Sequence, residues 1–462
     1  MPQQPASVAG PEEGAAPKQE ALPAPPQLMQ AAAAVPEQGG SRQQARPPQQ
    51  ACPPQQTPRR GGGVRRGDIQ VPMMSPEESA QISVPFQQAE ALLRPVLDRY
   101  GAAIVTGVAS EAECAELKQL FAEDLGELVD TAAAAAAGLA AAGERAVAEV
   151  RHWPLASLES LGKMERCQLR GLPQGRFAWA GRLHPRVRRV YELIHGTDKL
   201  VSSCDNSFFA PEEHREQDGN RSWPHVDHNM HDASIWDDDG QPVSQWEVFQ
   251  GLLYVWGSER QHASTTVLWC GSHRDVYEEL MADSNMARRG RNAMHFSRLE
   301  DMSGTENQRR LSQAWLGAAR RVSAPPGSLL LWNSRLVHQG WRGGPRLAQP
   351  VCWEPAGRRD ERARERKMKM AAMGLPSTHW GSLGIPHTLV KAELPAATAA
   401  VANRHAVQLP MKRTLRPVTL SPGVQVEEVW EKLQRLDWMK PLPRDVKAWL
   451  EASLDPKILS VL

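Results

Sequence analysis

The chain has 462 residues, with 54 Lys and Arg against 53 Asp and Glu, for a formal charge of +1 at pH 7. Such a length leaves room for two or three domains, and the near-neutral balance without a dense basic face excludes a nucleic-acid binder that works by neutralising phosphates. No apolar run of about 18 residues occurs, which excludes a membrane-spanning helix.

The six cysteines (Cys52, Cys114, Cys167, Cys204, Cys270 and Cys352) lie far apart and form no CxxC pair. They read as reduced thiols of a cytoplasmic protein, with organelle targeting left open, rather than as a disulfide framework or a zinc knuckle. Residues 1–75 are rich in Pro, Gln and Ala and nearly devoid of large apolar side chains. They cannot bury enough surface to offset ordering entropy, so disorder is expected. Ala89, Leu92, Leu93, Val96, Leu97 and Tyr100 recur at helical spacing over 86–100 and stop at Gly101, and a short strand is predicted at 103–105. A second helix is expected over 111–128. Residues 132–150 are almost pure alanine, a good helix former with little to pack. A further amphipathic helix is predicted over 185–195, ending at Gly196.

Beyond that point the texture changes. Short apolar runs at 200–210, 249–256, 265–270, 322–323, 329–332 and 349–353 alternate with Gly and Pro breakers, a pattern that predicts a sandwich or barrel with helices outside it. The expected fold is therefore mainly β with flanking helices around a double-stranded β-helix (jelly-roll, cupin-like) core at about 198–357. That core belongs to a domain spanning 76–395 with a helical N-terminal part. A charged helix at 358–370 reads as a solvated face, and 396–462 as a helical C-terminal extension broken by Pro441 and Pro443.

The chemistry concentrates in Arg221-Ser222-Trp223-Pro224-His225-Val226-Asp227-His228-Asn229-Met230-His231-Asp232. Residues two apart on a strand share a face, so His225 and Asp227 project together, with Val226 and His228 opposite. The best third ligand is His338, at the end of the apolar run that follows Pro326-Gly327. Two imidazoles and one carboxylate leave three coordination positions open, the facial triad of non-haem Fe(II) oxygenases. Eight residues on, Arg346 opens the next strand; its planar guanidinium can grip a dicarboxylate bidentately, which suits 2-oxoglutarate.

The order and spacing of these residues, with Gln250-Gly251-Leu252-Leu253-Tyr254-Val255, Leu268-Trp269-Cys270-Gly271-Ser272-His273-Arg274 and 326–338, resemble the phytanoyl-CoA dioxygenase-like family of Fe(II)/2-oxoglutarate oxygenases over about residues 80–387. The resemblance implies Fe(II) on His225, Asp227 and His338, with Arg346 on the distal carboxylate of 2-oxoglutarate. It also implies consumption of O2, release of succinate and CO2, and hydroxylation of a small-molecule or acyl substrate; no nucleic-acid or membrane partner is expected, on the charge balance and the lack of a long apolar run. Asp227 argues against halogenation, because halogenating relatives carry a small residue there. Many relatives place Ser or Thr where this chain has Gly340; Thr265, Thr266 or Trp341 are the candidates to replace that hydroxyl. Asn206, Ser207 and Gln250 are further candidates for cosubstrate contacts, and Arg342 is a weaker rival to Arg346.

Competing readings attach to the same residues. A zinc hydrolase would use His225, His228 and His231, although Pro224 disfavours the helix that such spacing needs. A catalytically inactive jelly-roll scaffold would keep the fold without turnover. His228, His231 and Asp232 otherwise read as polar surface or support for the ligands, His273 as a cap on its own loop, and His262 and His295 as surface. Trp223, Trp256, Trp269 and Trp332 read as core. Residues 374–387, with His379, Trp380 and His387 among turn-formers, read equally as a lid or as a packed connection.

Overall fold

Alternating strands that bury both faces set the architecture. The computed structural model describes residues 69–128, 171–212, 220–232, 246–292, 295–384, 415–437 and 440–462, all within the unit Arg65–Leu462. The expectations for 1–68, for the alanine-rich stretch 132–150 and for His387 lie outside the described residues. Residues 69–75, in the stretch expected to be disordered, are ordered: Val71 and Met74 are buried, and Ser75 caps the first helix in a capping box with Glu78.

The strands in chain order are β1 Ser83–Pro85, β2 Ala102–Thr106, β3 Leu200–Ser202, β4 Phe208–Ala210, β5 His225–Val226, β6 Phe249–Tyr254, β7 Thr265–Leu268, β8 Ser297–Arg298, β9 Arg320–Arg321, β10 Ser328–Asn333, β11 His338–Trp341, β12 Arg346–Val351 and β13 Trp353–Pro355. One sheet runs β1-β2-β10-β6-β12-β4, a second β8-β5-β11-β7-β9, and β13 pairs with β3. From β4 to β7, and again from β9 to β12, the chain changes sheet at each successive strand, so it winds around a shared interior. Register sets which side chains enter that interior: Trp332 lies opposite Gln250, and Leu330 opposite Leu252 on one side and Ile104 on the other. Ile104, Leu252, Tyr254, Leu330, Trp332 and Ala348 from the first sheet and Leu268 from the second form one buried cluster between the sheets. Leu330 is fully buried there. Leu330→Ala is therefore expected to cost about 2–5 kcal/mol of unfolding free energy, read as a lower urea midpoint at unchanged slope.

Helices cover the outer faces: α1 Pro76–Ile82, α2 Ala89–Tyr100, α3 Glu111–Leu128, α4 Arg176–Arg182, α5 Pro185–His195, α6 Asp275–Met281, α7 Ser284–Arg291, α8 Glu306–Ala318, α9 Glu361–Met373, α10 Val426–Leu433, α11 Arg444–Ser453 and α12 Pro456–Leu459. The expectation of a mainly β chain is corrected on this point, because the helices hold more residues than the strands. Three of them, α6–α8, fill the crossover between β7 and β9, where no short apolar run betrayed them. No helix among the described residues is long and apolar enough to cross a membrane.

The solvated-face expectation for the charged helix is also corrected. In α9, Glu365, Lys367 and Lys369 are buried, Glu365 and Lys369 against the C-terminal segment and Lys367 against β3. Glu365 accepts the Leu442 amide at 2.9 Å, while Lys447 bridges to Glu361 and Glu365. Lys367 donates to the Ser202 and Gly381 carbonyls, each at 2.6 Å, and burial lowers its pKa to about 8.

Candidate metal centre

His225 and His338 are direct cross-strand partners on β5 and β11, so antiparallel pairing turns both imidazoles to one face. The strand before His338 is led in by Gly327, whose φ of 74° and whose 2.0 Å approach to the Ala109 carbonyl, measured from an added Cβ, admit only glycine. Asp227 lies just past β5 and is fixed by its amide, which donates to the Ser334 carbonyl at 3.0 Å. Val226 points the other way, into the apolar cluster under α6 and α8.

One ligand atom from each of His225, Asp227 and His338 lies within 4.8 Å of the others, and all three residues are buried. Nε2 of His225 stands 3.5 Å from Oδ1 of Asp227, and Nε2 of His338 stands 3.2 Å from Oδ2. The remaining ring nitrogens face backbone carbonyls: Nδ1 of His225 lies 3.2 Å from the Trp223 oxygen and Nδ1 of His338 2.9 Å from the Leu336 oxygen. A carbonyl can only accept, so the proton sits on Nδ1 and each Nε2 lone pair is aimed at the shared point.

The electrostatics suit a cation. Burial, with His338 beside it, pushes the His225 pKa down to about 3, so the imidazole is neutral near pH 7. Burial alone would raise Asp227, yet His225 and His338 hold its carboxyl well below the usual carboxylate range. Both effects have the same sign for stability. Between pH 3 and 6.5 the unfolded chain takes up a proton that folded His225 refuses, and the stabilisation from Asp227 fades as acid protonates it. The metal-free protein is thus expected to lose stability as pH falls from 6.5 to 4. Urea midpoints at the two pH values, in wild type and in His225→Asn, check this; the drop should be smaller in the variant.

Neighbouring side chains fix the ligands. Gln250 Nε2 donates to Asp227 Oδ2 at 2.9 Å and reaches Ser334 Oγ at 3.2 Å. Gln250, expected at the cosubstrate, is therefore seen holding the carboxylate ligand. Gln250→Leu should weaken metal affinity or turnover by about 10–100-fold, as loss of such outer partners does, which a competitive metal titration would read. Trp223 stacks on His225 at 4.8 Å and 13° rather than joining the core, and its amide donates to Gln339. Phe296 flanks the same ring at 4.6 Å. Trp256 and Trp332 are buried as expected, and Trp269 packs against the outer cluster.

Arg346 opens β12 opposite Ala210 and is buried, with its guanidinium 4.3 Å from the Phe208 ring, 5.9 Å from the Tyr254 ring and Nη1 3.4 Å from Ser264 Oγ. Tyr254 Oη lies 3.2 Å from Oγ1 of Thr265 and 3.4 Å from Oγ1 of Thr266, and Thr266 is the strand partner of Gly340. Because Gly340 is two residues from His338, the Tyr254–Thr266 hydroxyls sit roughly 7 Å along the strand from the ligand row. Of the candidates to replace the hydroxyl absent at Gly340, Thr266 with Tyr254 thus lies on the interior side. Trp341 is in the outer cluster, and Thr265 donates to the Val322 carbonyl at 2.8 Å. Tyr254 was not singled out from sequence, although extending the alternation Gln250, Leu252, Tyr254 would have found it. Arg342 is exposed. Ser207 is engaged with Gln349 at 2.6 Å, whereas Asn206 is fully buried and neither of its amide atoms has a hydrogen-bond partner.

The other histidines separate from the centre. His231 Nε2 faces the Met281 carbonyl at 2.8 Å, and His228 meets the edge of Trp380 at 5.0 Å, so the His225, His228, His231 zinc set is not assembled. Among the described residues, His225, Asp227 and His338 are the one group of three with metal-ligand geometry. His295 is only partly exposed and sits 3.6 Å from Asp232, while His262 is exposed. His273 lies against the end of α2, 3.3 Å from the Asp98 carbonyl, instead of capping its own loop. Residues 374–384 are a packed connection: the Ser377 amide donates to the Cys204 carbonyl and the Ser382 amide to Glu354.

No family model matches the chain. Over 224 residues it is 25% identical to Ava biosynthesis cluster protein O of Aspergillus versicolor, covering 48% of this chain and 66% of that protein, just under two thirds of its length. Among solved structures it is similar to HygX from Streptomyces hygroscopicus with nickel and 2-oxoglutarate bound, at 15% identity and a TM-score of 0.30 over 57% of this chain and 85% of that one. A second is EctD from S. alaskensis with 2-oxoglutarate and 5-hydroxyectoine, at 15% identity and a TM-score of 0.31 over 64% of this chain and 87% of the other. At these values the likenesses bring no chemistry to this chain, and what the site can do is read from its own side chains.

Proposed function

We propose that the chain is an Fe(II)- and 2-oxoglutarate-dependent dioxygenase of the phytanoyl-CoA dioxygenase-like type, built on a jelly-roll core and hydroxylating a small molecule. The observation that carries this reading is the meeting of His225, Asp227 and His338 with both Nδ1 atoms tied to carbonyls. Two neutral nitrogens and one carboxylate would suit Fe(II), with His225, Asp227 and His338 holding it and room left for the cosubstrate. Arg346, buried in the same interior, is the cation for the far carboxylate of 2-oxoglutarate, with Tyr254 and Thr266 as hydroxyl partners. The relative's name places that protein in a biosynthesis cluster, which is in keeping with a small-molecule substrate.

When bound, iron with 2-oxoglutarate and O2 supplies oxidising power, with release of succinate and CO2. The chain's own residues do the rest. Nδ1 of His225 and of His338 keep their protons on the Trp223 and Leu336 carbonyls, which holds the Nε2 lone pairs in place. Gln250 stops Asp227 from rotating away, and Trp223, Phe296 and Trp332 wall the imidazoles from water. Aerobic incubation with Fe(II) and 2-oxoglutarate, with succinate quantified, tests the reading. Succinate that requires both iron and oxygen is expected; none with Fe(II), or equal activity with Zn(II), would overturn it.

A further inference from the structure

The wall of the interior at the start of β4 carries polar groups that the metal site and Arg346 leave unused. Asn206 is fully buried with both amide atoms unpaired. A buried amide without protein partners is destabilising unless something else satisfies it, so its place calls for a ligand. Its direction follows from its neighbours: Ser207 faces outward to Gln349, while Phe208 turns inward beneath the Arg346 guanidinium, so Asn206 lies on the inward side.

Beside it, Asp205 is buried and held from three directions. One of its carboxylate oxygens accepts the backbone N–H of Asn206 at 2.7 Å, the other binds Nδ1 of His379, and its carbonyl accepts Nη2 of the buried Arg182 at 2.5 Å. His379 keeps 20% of its side chain exposed, so its ring bridges from a buried carboxylate to accessible space. The next residue, Trp380, packs its ring 5.0 Å from that of His228, which brings this segment alongside the chain that leaves the ligand Asp227. The segment that carries it is fixed by Ser377 on Cys204 and by Lys367 on the Gly381 carbonyl. Thr378, next in line, has a buried hydroxyl with no partner.

The charge of Asp205 is already answered by Arg182 and His379, so this wall offers no surplus charge to an ionic group. An amide that both donates and accepts, beside an oriented imidazole, complements a neutral hydroxyl. Resting on the oxygenase reading, we propose that Asn206 and His379 bind an alcohol hydroxyl of the substrate next to the metal centre, with Asp205 as the positioning residue for His379.

The test is anaerobic equilibrium dialysis of the Fe(II)- and 2-oxoglutarate-loaded protein against two probes, cyclohexanol and 2-decalol, each paired with its methyl ether. The expected result is at least tenfold tighter binding of each alcohol than of its ether. That preference should fall below twofold in Asn206→Leu, in the milder Asn206→Ala and in His379→Leu. Asp205→Leu should lose it as well, while Asp205→Asn, which keeps an acceptor for Nδ1–H, should rescue it. A visible iron–2-oxoglutarate charge-transfer band, recorded on every variant, confirms that the centre has folded. Equal affinity for alcohol and ether in the wild type, or a preference that survives the Asn206 and His379 substitutions, overturns the hydroxyl site alone. Absence of the band in the wild type instead sinks the oxygenase reading.

Discussion

His338→Ala is expected to abolish tight Fe(II) binding and to cut succinate formation by more than the roughly 100-fold that loss of an outer partner causes. The reason is geometric. His338 is paired in register with His225, its Nε2 lies 3.2 Å from Asp227, and its Nδ1 is tethered to Leu336, so the surrounding strands cannot supply a substitute nitrogen. Alanine leaves two donors, which hold a divalent ion poorly. Metal content after dialysis, measured by atomic emission, checks the first part, and a succinate assay the second. Near-stoichiometric iron in the variant would count against His338 as a ligand.

The second large effect is expected at Arg346. Arg346→Met should raise the 2-oxoglutarate KM by about 30-fold or more, since losing one partner of a buried charge pair costs about 2–5 kcal/mol and each 1.4 kcal/mol is tenfold. Arg346→Lys should recover only part of this, because an ammonium keeps the charge but not the two parallel donors, and it stacks less well on Phe208. Iron affinity without 2-oxoglutarate should be unchanged in both variants, as Arg346 touches none of the three ligands in any described contact. Initial rates across a 2-oxoglutarate series separate these outcomes. An unaltered KM in Arg346→Met would move the cosubstrate elsewhere in the interior.

Where the sequence spoke clearly, local geometry was the reason. His225 and Asp227 were legible because a strand repeats every two residues, and His338 because a Pro-Gly turn followed by an apolar run announces a buried strand. Helices α2, α3 and α5 were visible through their periodicity and through the glycines that stop α2 and α5. What stayed hidden depends on distant partners. Glu365 and Lys367 look like the exposed face of a charged helix until the C-terminal segment is seen on the first and the Ser202 and Gly381 carbonyls on the second. The Asp205–His379 pair joins residues 174 positions apart, and no local pattern ties one to the other. The hold of Gln250 on Asp227 was not legible, since it depends on where Asp227 turns after leaving β5. Helices α6–α8 were missed because a crossover inside a β pattern carries no sign of its own until the strands on either side have been paired.

The central claim, that two imidazoles and a carboxylate gather one iron beside an arginine that holds 2-oxoglutarate, is tested most directly by anaerobic titration of the metal-free protein. Fe(II) is added in the presence of excess 2-oxoglutarate and the visible spectrum is followed. A charge-transfer band that saturates at one iron per chain, is lost in His225→Ala and needs far more 2-oxoglutarate in Arg346→Met is the expected result. No band in the wild type, or a band of full strength in His225→Ala, would contradict the account.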